Sequence, residues 1–197
     1  MKINFDFGRL KLHVSSFFVP KTRTIGIHNL VRGTPFRALF LDYDFNRFDW
    51  VKEELTFLIH LFKLGDVIIL QSSDNSFHAV CVDCFTAKEE QEIIEVSSCD
   101  DAFKNCHAFD FKSRVLRVSF KGNTEKPKFV CLLKSPYNLL RVKSAGHYLF
   151  FKANYDIKLW EIDKNLFLQS VLESMGFGTQ IFYNVSLINY PTKKNVE

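Results

Sequence analysis

The sequence predicts an α+β domain, a mixed and mostly antiparallel sheet with helices on one face. Short apolar runs of strand length recur along the chain, and several neighbours are joined by hairpin turns such as "SDNS" and "KGNTEKP". Helical apolar stripes are interspersed among these runs instead of alternating with them one for one, which argues against a doubly wound parallel sheet. With 197 residues, 47 % of them apolar, the chain suits a single domain with a sizeable core, taken as residues 1–189 and followed by a polar tail at 190–197.

The first 36 residues combine strand-like pieces (Lys11 to Val19) with a basic stretch punctuated by Gly and Pro, "PKTRTIGIHNLVRGTPFR". Arg37 to Asp44 reads as a strand. From Phe48 the apolar positions Val51, Leu55, Leu58, Ile59 and Phe62 form a helical stripe that stops at Gly65. "DVIILQSS" and "FHAVCVDCF" are strands flanking a turn. Thr86 and Glu89 make a capping box that opens a polar helix to about Val96. Further strands are expected at "RVLRVSF", at "KFVCLL", at Tyr148 to Lys152 and at Ile157 to Ile162. Asp163 caps a helix through Met175, Gly176 ends it, and "TQIFYNVSLI" closes as a strand.

Composition sets the outer limits. The formal charge of +4 and pI near 8.7 permit contact with an acidic polymer without requiring it. No stretch approaches the roughly 20 apolar residues of a membrane span, and "MKINFDFGRL" lacks the apolar centre of a secretory signal. The expectation is therefore an intracellular (cytoplasmic) protein making no membrane contact. Its five cysteines, an odd number scattered through apolar segments, then read as reduced thiols.

Three elements carry chemistry. In "LDYD", Asp42 and Asp44 lie two apart on a strand and so project side by side, while Leu41 and Tyr43 face the other way. Adjacent carboxylates repel unless a cation sits between them, and hard oxygen ligands at this spacing suit Mg²⁺ or Mn²⁺. In "SFH", Ser76 and His78 share one strand face. Strand, helix, strand and turn separate them from the aspartates, a layout that brings both strand ends onto one open face. In the third, "FDFKSRVLRVSFKGN", Arg117 lies opposite the apolar face of its strand, Lys121 follows it and Asp110 precedes it. Acids, a histidine and cations converging on one face are the parts of phosphoryl transfer.

This order of motifs over residues 37–122 resembles the archaeo-eukaryotic primase (primase-polymerase) superfamily catalytic core. The resemblance implies an RNA-recognition-motif-like sheet and a two-metal nucleotidyltransferase acting on NTP or dNTP with a single-stranded DNA template, in company with a helicase or other replication subunit. It implies that Asp42, Asp44 and Asp110 hold Mg²⁺ or Mn²⁺, and that Ser76, His78, Arg117 and Lys121 bind the nucleotide. Asp100 and Asp101 also precede the arginine strand and compete with Asp110 for the third position.

The same residues admit other readings. "FLDYD" looks like the start of a haloacid-dehalogenase-type phosphatase, but Phe45-Asn46 stands where that family has Gly-Thr. Cys81, Cys84, Cys99 and Cys106, with His107, can be drawn as a zinc site, yet on a regular strand Cys81 and Cys84 face opposite ways. A non-catalytic primase-fold subunit or single-strand-binding module remains the competitor from another class. Its weakness is the carboxylate pair, which would repel phosphate.

Overall fold

The strand runs and helical stripes of the sequence become eight strands and four helices among the described residues. The computed structural model describes residues 2–7, 10–15, 25–31, 33–105, 113–121, 124–158 and 160–161. β1 (Lys2–Phe7) pairs with β2 (Leu10–Ser15), and β3 (Gly26–His28) pairs with β7 (Val115–Arg117). The main sheet holds β4 (Arg37–Tyr43), β5 (Val67–Ser73), β6 (Ser76–Phe85) and β8 (Lys128–Leu133) in the order β4-β6-β5-β8. Every described strand pairing is antiparallel, so the class is α+β with antiparallel sheets. No helix among the described residues is long and apolar enough to cross a membrane.

β4 and β5 are joined by α1 (Phe48–Phe62) and lie parallel to each other with β6 inserted between them, a split β-α-β unit. The stripe Val51, Leu55, Leu58 and Ile59 is buried. Above it, Phe48 meets Phe77 and Trp50 meets Tyr43 at ring-centroid distances of 5.7 and 6.4 Å. The helix ends one turn before the glycine that the sequence singles out. Lys63 takes the left-handed conformation, φ 51°, and Gly65 serves another purpose. Its amide donates to Asp83 Oδ2 at 2.6 Å, and a Cβ there would sit 2.5 Å from Asp83 Oδ1 and 2.6 Å from Lys143 Nζ. Close approach, not chain reversal, demands this glycine.

α2 (Ala87–Val96) starts at Thr86 with the expected capping box. Its Glu90, fully buried, accepts from Asn29 (2.7 Å), Arg114 (2.9 Å) and Arg37 (3.1 Å), fastening the helix to β4 and to the lead-in of β7. Two expectations are corrected beyond this point. Tyr148 to Lys152 is not a strand but part of α4 (Ala145–Asn154), opened by Ser144, whose side chain accepts from His147 N. Its aromatic residues imitate strand composition, while Tyr148 and Phe151 are buried together, the spacing of one helix face. The second correction is that helices cover both faces of the sheet. α1 packs on the face of Leu41 and Tyr43, whereas Phe40, on the opposite face, meets His147 and Phe151 of α4 at 5.5 and 5.9 Å.

The remaining differences are local. Of the run from Ile157, the described residues form a turn, with Trp160 against Tyr148 at 5.0 Å. The strand expected over Arg114 to Phe120 contracts to Val115–Arg117. The expected helix at 163–175, the strand at 179–188 and the tail lie outside the described residues.

Asp83 and Lys143 form an ion pair with both side chains 1 % exposed. Removing one partner strands the other charge in the core. Lys143→Met should cost about 3–5 kcal/mol in urea unfolding, and Asp83→Leu combined with Lys143→Met should recover most of that loss.

Candidate functional site

The site grows from one row of the sheet, where Asp42 on β4 lies opposite His78 on β6 and His78 opposite Leu70 on β5. Cross-strand partners share a face, so strand parity does bring Asp42 and His78 together. Their nearest polar atoms, Asp42 Oδ1 and His78 Nε2, are 3.5 Å apart, too far for a good hydrogen bond. Asp42 Oδ1 and His78 Nδ1 are buried without a hydrogen-bond partner.

The face is not the open one that the sequence suggests. His78 is 3 % exposed and Ser76 4 %, because β6 runs between β4 and β5 and is buried along its whole length. His78 is therefore a core residue, and truncating it would open a cavity, contrary to the expectation of an exposed imidazole. Asp44 departs from its expected place as well. β4 ends at Tyr43, and Asp44 is exposed in the turn beyond it, its carbonyl accepting from Asn46 Nδ2 at 3.0 Å. The two carboxylates are neighbours but do not lie side by side on a strand.

Electrostatics single out Asp42. Burial pushes its carboxyl up to about 7; the Asp44 and Asp100 carboxylates push the same way, while Arg117 and Lys121 oppose them. Burial drives His78 down to about 3, and the Arg117 charge adds to this, so the imidazole is neutral at physiological pH. Without a bound cation, Asp42 at neutral pH is divided between a carboxylic acid beside a neutral imidazole and a desolvated carboxylate among like charges.

Arg117 stands at the end of β7, opposite Gly26 of β3. Its Nη1 donates to the carbonyls of Ser119 (2.9 Å) and Glu125 (3.0 Å), and its Nη2 to that of Ser72. These carbonyls fix the guanidinium where its charge acts on both Asp42 and His78. Lys121 is exposed and bridged to Thr124. Asp110, Cys106 and His107 lie outside the described residues. Asp100 is close at hand: its amide donates to the Asp42 carbonyl at 2.7 Å, and its carboxylate caps α3 (Asp101–Lys104) through Phe103 N at 3.0 Å.

Among the described residues no group of three or more His, Cys, Asp or Glu side chains is placed to hold a metal ion. Mg²⁺ does not need one, since it is commonly held by one or two carboxylates with water and substrate phosphate filling its octahedron. Asp42 Oδ1 lacks a hydrogen-bond partner and the Asp44 and Asp100 charges act on it, so Asp42 and Asp44 are the described residues that could contribute to such a partial set, while the Asp100 carboxylate is already engaged at Phe103 N. The cysteines do not offer an equivalent. Cys81, Cys84 and Cys99 are free, buried thiols, and burial pushes Cys84 up to about 12.

Sequence reasoning missed the neutral, buried state of His78 and the anchoring of Arg117. It also gives Phe45 no role beyond its mismatch with the phosphatase motif. The apolar character of "FHAVCVDCF" on both strand faces, interrupted only by His78 and Asp83, is the available signal for the first, since a strand apolar on both faces is buried on both.

A carboxyl held near 7 in the fold and near its ordinary value in the unfolded chain makes the ionised native state less stable, by about 2–4 kcal/mol for Asp42. Between about pH 4 and 7 the native protein binds the extra proton, so stability contributed by this group falls as pH rises, and above 7 the loss is complete. Asp42→Asn escapes it. In urea unfolding with EDTA, Asp42→Asn should exceed wild type at pH 8 by that amount, with the gap shrinking toward pH 5. A variant less stable than wild type at pH 8 would refute the assignment.

Searches of the chain against protein-family models, curated proteins and solved structures return no match.

Proposed function

We propose that the chain is a metal-dependent nucleotidyltransferase of primase-polymerase type, transferring NMP or dNMP from a nucleoside triphosphate to a 3′-hydroxyl on a single-stranded DNA template. The observation that carries this reading is the half-buried Asp42 carboxyl, one of whose oxygens has no hydrogen-bond partner while the Asp44 and Asp100 charges act against its ionisation. The Asp42 side chain is 28 % exposed, and a fold seldom holds a half-buried acid among like charges unless something cationic belongs there. The split β-α-β unit, which sets Asp42 beside His78, supports the same reading, as does the motif order across 37–122.

Mg²⁺ or Mn²⁺ held by Asp42, Asp44 and Asp100 or Asp110 would acidify the attacking hydroxyl and neutralise the leaving pyrophosphate. The chain's own residues have distinct tasks. Neutral His78 flanks Asp42 without adding charge that would repel a cation. Arg117, held by backbone carbonyls, and Lys121 supply positive potential for the triphosphate. Ser76, expected to bind the nucleotide, is buried at the hairpin end of the same strand face and carries no direct contact in this proposal. A helicase or other replication subunit is the partner that this role calls for.

A second reading has one observation in its favour. The burial of His78 suits a relative that kept the fold, or a subunit that binds a single strand, without turnover. Primed and unprimed single-stranded DNA, incubated with Mg²⁺ or Mn²⁺ and each nucleotide set, separates the two. Product from wild type that falls to background in the double variant Asp42→Ala, Asp44→Ala is the expected result. Equal product from both proteins, or none from either, removes the catalytic proposal.

A further inference from the structure

The turn that follows the aspartates carries an aromatic residue that the fold neither packs nor relaxes. Phe45 is 89 % exposed and adopts φ 58°, a left-handed conformation that bulky residues avoid. The turn is pinned in place: Asn46 N donates to the Asn75 carbonyl at 2.7 Å, tying it to the β5-β6 hairpin, and Asn46 Nδ2 closes it on Asp44 O. A strained backbone holding a solvated phenyl ring beside a candidate site points to a task for that ring. Five residues on, Trp50 is 42 % exposed, one side of its ring braced on Tyr43. Between the two aromatics lies a groove of about 530 Å³ lined by Phe45, Asn46, Arg47, Asp49, Trp50 and Glu53.

The lining decides what enters. Two aromatic faces favour a flat, apolar-faced guest. Asp49 and Glu53 repel phosphate yet accept hydrogen bonds from exocyclic amino groups, whereas Arg47, exposed at the start of α1, can meet a phosphate at the rim. We infer that this groove seats a nucleobase of a single-stranded nucleic acid, stacked on Phe45 with its backbone passing Arg47. Here the inference rests on the nucleotidyltransferase reading, which it deepens by naming where the strand is gripped beside Asp42 and Asp44.

The test is fluorescence anisotropy of a labelled single strand of about 12 nucleotides, within the span that single-strand sites cover. Phe45→Ala should weaken binding roughly 5- to 100-fold, the range for loss of one stacked base, with Phe45→Trp retaining it. Phe57→Ala, which removes an exposed ring elsewhere on α1, should change nothing. Far-ultraviolet circular dichroism and melting temperature should be alike in all variants, because none of these rings is in the core. Absence of single-strand binding by wild type, or equal binding by wild type and Phe45→Ala, overturns the inference even if primer extension is observed. Sensitivity to Phe45→Ala confined to labelled ATP or to an oligolysine peptide overturns it too. Phe45-dependent strand binding by a protein that never extends a primer upholds the inference and discards the catalytic reading instead.

Discussion

Ten consecutive buried residues on β6 constrain the rest of the molecule. A strand buried on both faces needs cover on both, which α1 provides on one side and α4 on the other. Every polar group along it must also find a partner out of reach of water. Asp83 does so, with the Lys143 ammonium and the Gly65 amide. His78 sits instead against Asp42, and neither side chain completes the other. The same register fixes both outcomes, because a slip of one residue would turn Asp83 and His78 to the opposite faces of the sheet.

Two aspartates in one sheet therefore end differently. Burial raises both, but the charge of Lys143 works against it at Asp83, whereas at Asp42 two further carboxylates add to it. The first is architecture: a charge neutralised in place, clamping β6 to the segment before α4. The second has no ion-pair partner to neutralise it, and its raised carboxyl holds a proton up to about pH 7. Stability given up at such a point is the usual mark of a site kept for function.

Much of this was legible in the residues. The ranges of β4, α1, β5, β6, α2 and β8 follow from apolar periodicity and from the Thr86-Glu89 capping box, and parity alone put Asp42 and His78 on one face. What parity does not encode is what covers a face. Phe40 alternates out of step with Leu41 whether it meets solvent or α4, so the open face was an inference about distant residues. α4 itself was hidden because "HYLFFK" is rich in aromatics, and only the Ser144 cap and the pairing of Tyr148 with Phe151 give it away. Asp44 was misplaced by a single residue at a strand end, where pairing partners and not propensity decide the boundary. Asp100 reaches the site through a backbone bond to the Asp42 carbonyl, a contact that no local pattern announces.

The account turns on the state of one carboxyl group. Carbon-detected NMR titration of the Asp42 side chain measures it directly, with Asp42→Asn identifying the resonance. The account predicts a midpoint of about 7 in metal-free buffer and a marked fall when Mg²⁺ is added. A midpoint at the ordinary carboxylate value, unmoved by Mg²⁺, would contradict it.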